Sequence, residues 1–207
     1  MPETIYFQVP AKPVQIGFAF WLQWILVTLF GFLLSLLVIE IGESPHLGIR
    51  EGVIGGAIIG LTQFLVLRGH IRQAWWWIVA SIICWGLLGL SSLSPLGWVV
   101  PRTTLFSARI FYGALFGALI GIGLGVPQWL VLRPRIPKAW RWILMSSLCW
   151  AISLAFGWTV GGMLRLLSQL FLGDVVGLTL AWLAVGILQG IALTGLLQDA
   201  TYTKFYQ

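Results

Sequence analysis

Apolar residues run along this chain in blocks of about twenty, separated by short polar turns. A helix rises about 1.5 Å per residue and the hydrocarbon core of a bilayer is about 30 Å thick, so blocks of this length predict membrane-spanning helices. Five are plain and a sixth is masked by its glycines. The predicted spans are 16–41, 48–68, 74–91, 109–132, 139–158 and 175–197, an all-α integral membrane fold in one transmembrane domain; six spans in 207 residues leave no room for a soluble domain. The first span follows a polar leader and lacks the short apolar core and cleavage site of a signal peptide, so it is read as retained. Within "TVGGMLRLLSQLFLGD", Arg165, Ser168 and Gln169 share one helical face and Leu164, Leu167, Leu170 and Phe171 take the others. This predicts a short interfacial helix over about 162–172. The longest polar interruption is 92–107, with Pro95, Trp98 and Pro101; with 162–172 it is the place for a lid or a soluble partner's contact.

The pattern repeats. "LTQFLVLRGHIRQAWWWI" (61–78) returns as "VPQWLVLRPRIPKAWRWI" (126–143), and a shift of 65 residues lays Gly52, Gly56, Gly60, Gln63, Arg68, Ser81, Cys84 and Trp85 on Gly117, Gly121, Gly125, Gln128, Arg133, Ser146, Cys149 and Trp150. The three glycines and the glutamine of each copy fall within roughly 80° around a helix. Such a face lets a neighbouring helix approach backbone to backbone, the usual mode of helix association where water supplies no driving force, with the amide hydrogen-bonding across the groove. Arg68, Arg72, Arg133, Arg135, Lys138 and Arg141 then mark a turn at the headgroups, suited to the negative ends of helix dipoles. Trp75, Trp76, Trp77, Trp140 and Trp142 are expected in an interfacial aromatic belt. A weaker third unit comes from the chain ends: Gly186, Gly190 and Thr194 resemble the glycine face, with Leu197 where glutamine is expected and Gln189 displaced, while Thr28 falls near the place of Ser81 and Ser146. The plan is thus repeated two-helix units, two clear and one weak, in a pseudo-threefold bundle.

Composition agrees: 59% of residues are hydrophobic, 9% charged, and the mean hydropathy is +0.96. A net charge of +6 would suggest nucleic acid in a soluble protein, but its distribution says otherwise. On the amino-terminal side Lys12, Arg68, Arg72, Arg133, Arg135, Lys138, Arg141 and Lys204 face only Glu3 and Asp199. On the other side Arg50, Arg102, Arg109 and Arg165 cancel Glu40, Glu43, Glu51 and Asp174. The positive-inside rule makes the basic side cytoplasmic, with both termini there. The partners this implies are anionic lipid headgroups, each cation contributing on the order of 1 kcal/mol, and other membrane subunits, with no nucleic acid.

No catalytic constellation is present. His46 and His70 fall in loops on opposite sides and cannot share a metal or haem. Ser81 and Ser146 lack a base. Glu40, Glu43 and Glu51 are expected to pair locally with Arg50 and Arg109. Cys84 and Cys149 read as small packing residues rather than as a disulfide or zinc site. No ionisable residue falls at the predicted midplane, which argues against a coupled pump. The interior offers glycine grooves, Gln63, Gln128 and Gln189, and the deep rings of Trp85, Trp150 and Trp182, surfaces suited to a carotenoid, a chlorophyll or a lipid tail, or to plain helix packing.

The motif G-x-x-Q-[FW]-L-V-L-R followed by A-W-x-W-I, at 60–78 and 125–143, resembles a repeat of uncharacterised membrane proteins common in cyanobacteria. The resemblance covers spans two to five and implies a photosynthetic source and a thylakoid location, but no activity. The expectation is a non-enzymatic accessory or assembly subunit of a membrane complex, docking through its glycine faces and holding pigment or lipid. No histidine in the bilayer is available as an axial ligand for chlorophyll. The alternative is a substrate-capturing subunit of an uptake transporter, or a small uncoupled channel.

Overall fold

In a computed structural model, residues 17–43, 48–90 and 96–205 are described. They form six α-helices: α1 Phe18–Ser35, α2 Ile49–Leu67, α3 Trp76–Leu90, α4 Phe106–Leu132, α5 Arg141–Ser168 and α6 Leu172–Phe205, with a single 3-10 turn, Leu96–Trp98, before α4. All but α3 are long and apolar enough to cross a membrane. Each helix packs against the next in sequence, and α6 returns to α1, so the six close into a ring around a shared core. Outward positions such as Leu37, Leu87, Leu115, Leu148 and Ile191 stay exposed, as a lipid-facing surface requires.

Two buried clusters fill the ring. One lies at the end of the α2–α3 and α4–α5 turns and includes Phe20, Trp24, Trp77 and Trp142. The other, toward the opposite end, includes Phe32, Trp85, Trp98, Trp150, Trp158 and Trp182. The two turns are built alike. Ile71 N–H donates to Leu67 C=O and Ile136 N–H to Leu132 C=O, while Gln73 and Lys138 take left-handed φ values of 66° and 59°. A non-glycine residue there carries a steric cost of about 1–2 kcal/mol, partly offset by the backbone freedom that glycine loses on folding. Lys138→Gly is therefore expected to stabilise the protein by about 0.5–1 kcal/mol, measurable as a rise in Tm in detergent.

Five helix boundaries differ by three residues or more from those the sequence predicts. Helix α1 stops at Ser35, not at 41: the Ser35 hydroxyl donates to Phe32 C=O at 2.6 Å and residues 36–39 continue as turns that bury Ile39. Helix α5 runs ten residues past 158, so 162–172 is not a separate interfacial helix; Gln169, at φ 58°, ends α5. Its extension is built on contact, because Gly157 faces Gly177, and Gly161 faces Asp174. Helix α6 starts three residues before 175 and ends eight after 197, and α4 starts three before 109.

Candidate functional site

The glycine faces are occupied by this chain's own helices. A Cβ on Gly56 would sit 2.6 Å from Ser81 C=O, and one on Gly52 would meet the Trp85 carbonyl of α3. On α4, Gly117 and Gly121 face the backbone of Trp150 and Ser146 on α5 in the same way. The expected docking of a partner or flat ligand on these faces is thus precluded in this packing: both glycine ridges are filled within their own hairpins. A Cβ on Gly60 would lie 3.0 Å from Ile78 Cα and close to Ser81, one on Gly125 3.0 Å from Ile143 Cα and close to Ser146, and one on Gly186 3.3 Å from Ile25 Cα and close to Thr28.

That third contact changes the reading of α6. Gln189 follows Gly186 by three residues, as Gln63 follows Gly60 and Gln128 follows Gly125. Trp24, Trp77 and Trp142 each precede the contacting isoleucine, and Thr28, Ser81 and Ser146 each follow it by three. The glutamine of α6 that joins this layer is therefore Gln189, not a residue replaced by Leu197. The sequence pattern hides this because Trp182 stands where Gly56 and Gly121 stand in the other helices.

All three glutamines are buried at 4% exposure, so their amides need partners inside the protein. Trp77 Nε1 donates to Gln63 Oε1 at 2.8 Å and Trp142 Nε1 to Gln128 Oε1 at 2.9 Å, each within one hairpin. Gln63 Nε2 donates to Thr28 Oγ1 and Gln189 Nε2 to Ser146 Oγ, both at 3.2 Å and both between hairpins. The amides therefore tie α2 to α1 and α6 to α5. The three glutamines, with Ser81, Trp85, Trp150 and Trp182, line a central cavity of about 10 Å³, room for about one water. Two of its lining residues carry polar atoms without a protein partner, Ser81 Oγ and Trp150 Nε1.

The tryptophans divide by phase. Trp75, Trp76 and Trp140 are about half exposed, but Trp77 and Trp142 are fully buried and belong to the core, not to an outer belt. The indole N–H of each has the glutamine to bond, which is what lets a tryptophan sit inside. Trp85 and Trp150, also buried, stack edge-on at 5.8 Å, and Trp182 stands 4.9 Å from Trp150. Phe32 closes the layer at 5.1 Å from Trp182.

Within the predicted 92–107 interruption, residues 97–100 form an inward plug while Arg102 and residues 104–107 stay exposed; 92–95 lie outside the described residues. Trp98 is fully buried and donates Nε1–H to Ser35 Oγ at 2.7 Å; Trp158 and Trp182 donate to Val99 and Gly97 carbonyls. Beside it, Arg109 and Asp174 form a pair at 2.6 Å, each 1% exposed. Arg109 also donates to the carbonyls of Pro101, Thr103 and Trp158, and Arg165 bridges Asp174 and Glu43. Of Glu40, Glu43 and Glu51, expected to pair with Arg50 and Arg109, none pairs with Arg109 in this latch: Glu43 pairs with Arg165 and Glu51 accepts Gly48 N–H at 2.9 Å. Opposite charges in the first turns of α4 and α6 were the available signal, but only the fold brings them together.

Arg68, Arg72, Arg133, Arg135 and Lys138 are exposed around the two turns, with Arg141 at the start of α5; Arg133 lies over Trp129 at 5.7 Å. His70 is exposed and contacts Val66 C=O and the Phe20 ring; His46 lies outside the described residues. Cys84 and Cys149 are buried free thiols. Among the described residues no three of His, Cys, Asp and Glu come together as a metal-binding group. Known family profiles, curated proteins and solved structures give no significant match to this chain.

Proposed function

We propose that the chain is a non-enzymatic accessory or assembly subunit of a membrane complex, photosynthetic on the strength of its sequence resemblance, whose ligands and partners bind its outer surface. In this reading all six helices cross the membrane; α3, rising about 22 Å, is completed by its turn. Three pairs, α2–α3, α4–α5 and α6–α1, surround a pseudo-threefold axis through the glutamine layer. The basic turns and both termini face the cytoplasm. The matched contacts of Gly60, Gly125 and Gly186 support the symmetry, and the count of cations supports the orientation.

The observation that carries the proposal is the closed interior. Sites that engulf a small molecule measure roughly 300–1,000 Å³, whereas the central cavity offers about 10 Å³. The plug of Trp98 and Val100, both nearly or fully buried, seals the end beside it. Of carotenoid, chlorophyll and lipid, a lipid on the outer face suits this surface best. The test is purification in mild detergent with an absorption spectrum and a native mass. Co-purifying membrane subunits support the proposal; a lone protein whose Tm rises with a soluble vitamin replaces it with the substrate-capturing reading.

The glutamines give a second measurement. Gln63→Leu with Gln128→Leu strands the Trp77 and Trp142 indole N–H groups. Each lost bond is expected to cost about 0.6–2 kcal/mol and lower the Tm, with bound pigment or partner unchanged. Loss of visible absorbance at an unchanged Tm would make the amides ligands instead.

A further inference from the structure

On the outside of the ring, α3 and α4 leave a groove of about 580 Å³ that runs down from the basic turns. Its walls are two matched helical stripes, Trp76, Val79 and Ile83 on α3 and Pro127, Leu130 and Val131 on α4. Trp76, Ile83 and Leu130 are about half exposed, so the groove opens sideways, away from the core. The ring is most loosely packed here of its six neighbouring pairs. Pro127, in the wall, has no N–H to give the helix.

At the mouth stand Arg72 and Gln73 from one turn and Arg135 from the other. Arg72 and Arg135 are exposed, and neither forms an ion pair among the described residues. They do not occupy matching repeat positions, since 65 residues after Arg72 comes Pro137 and 65 before Arg135 comes His70. Two guanidinium groups over an apolar trough therefore occur at this junction as a feature of its own.

We propose that this groove binds one anionic glycerolipid, with its phosphate between Arg72 and Arg135 and an acyl chain along the α3–α4 stripes. Guanidinium groups bind phosphate by paired, charge-assisted hydrogen bonds, which a zwitterionic lipid's neighbouring ammonium weakens. The Gln73 amide adds a neutral donor at the same mouth. The volume falls within the roughly 300–1,000 Å³ range of ligand-burying sites, and anionic lipids are enriched at a cytoplasmic leaflet. The inference deepens the outer-surface reading above and relies on its orientation, but not on the accessory role.

The test uses the full chain in mild detergent, titrated with phosphatidylglycerol or phosphatidylcholine and read by native mass spectrometry. One phosphatidylglycerol per chain is expected to be retained in preference to phosphatidylcholine. Arg72→Gln with Arg135→Gln is expected to weaken that retention at least tenfold, and clearly more than Arg68→Gln with Arg133→Gln, which removes the same charge from the same turns at residues that do not line the groove. Val79→Trp, which fills the groove without changing charge, is expected to weaken it as well. The headgroup alone, as glycerophosphoglycerol, is expected not to displace the lipid. Equal loss in both arginine pairs, equal retention of the two lipids, or displacement by the headgroup would overturn the proposal. The native partner mass is scored on the same samples, so the lipid site can fail while the accessory reading stands, and the reverse.

Discussion

Asp174→Ala is expected to destabilise the protein by about 3–5 kcal/mol, because it strands a buried guanidinium. Arg109 is 1% exposed, and its strongest partner, the Asp174 carboxylate at 2.6 Å, is the group removed. The carbonyls of Pro101, Thr103 and Trp158 still accept from Arg109 but do not neutralise it. The same carboxylate holds Arg165 at 2.9 Å, and Arg165 in turn holds Glu43 in the α1–α2 loop. The variant therefore loosens the α1–α2 loop, the plug and the first turns of α4 and α6 together. Equilibrium unfolding followed by near-UV circular dichroism measures the effect through the tryptophans. Arg109→Met with Asp174→Leu separates its two components. Removing both charges ends the stranding, yet leaves three carbonyls without their donor, so partial recovery from the single variant is expected. A single variant no less stable than Arg72→Gln, whose side chain is exposed, would show that the latch carries no stability.

What the sequence makes legible follows from which forces are local. The glycines at 52, 56 and 60 and their partners at 117, 121 and 125 lie on one helix face by spacing alone, and the nearest helix in the chain fills that face. The hairpins α2–α3 and α4–α5 were accessible for this reason. Their turns were also legible, because Arg68 and Arg133 end apolar runs and chain polarity changes there.

Other features depend on contacts that sequence spacing does not encode. In Trp75–Trp76–Trp77, three identical side chains leave a turn together, and only the phase of α3 sends Trp77 to Gln63 and the others outward. The proposed third pair is obscured because its helices are at opposite ends of the chain and Trp182 interrupts the glycine spacing. Ring closure by α6 on α1 supplies the register that makes Gln189 a partner of Ser146. The length of α5 was missed for a related reason: Gly161 and Gly162 weaken a helix considered alone, but against Asp174 and the Arg109 side chain they are the residues that fit. The latch itself spans 65 residues between Arg109 and Asp174, and charge balance by side predicted neutrality without predicting who pairs with whom.

Two glycines of α4, two residues apart, are expected to respond to alanine with opposite signs. A Cβ on Gly121 would lie 2.5 Å from Ser147 Cα and 2.7 Å from the Ser146 carbonyl carbon. Both are backbone atoms, so α4 and α5 would have to separate, at about 1–3 kcal/mol by analogy with overpacked cores. Separation also pulls Gln128 away from Trp142, whose 2.9 Å bond joins the same two helices. Gly121→Leu, with three more carbons against the same backbone, is expected to exceed that range and to prevent recovery of folded protein. A Cβ on Gly123, by contrast, meets only the Cys84 sulfur at 3.5 Å, an ordinary contact. Gly123→Ala is then expected to stabilise by up to about 1 kcal/mol through helix propensity. Gly195→Ala on α6, where no atom lies within 4 Å, shares that sign. The three variants differ from the parent by one methyl group apiece, so composition and hydropathy predict one answer for all of them. Detergent melts in which Gly121→Ala tracks the other two would mean that α4 and α5 do not meet backbone to backbone, and the glutamine layer that this approach brings together would lose its support.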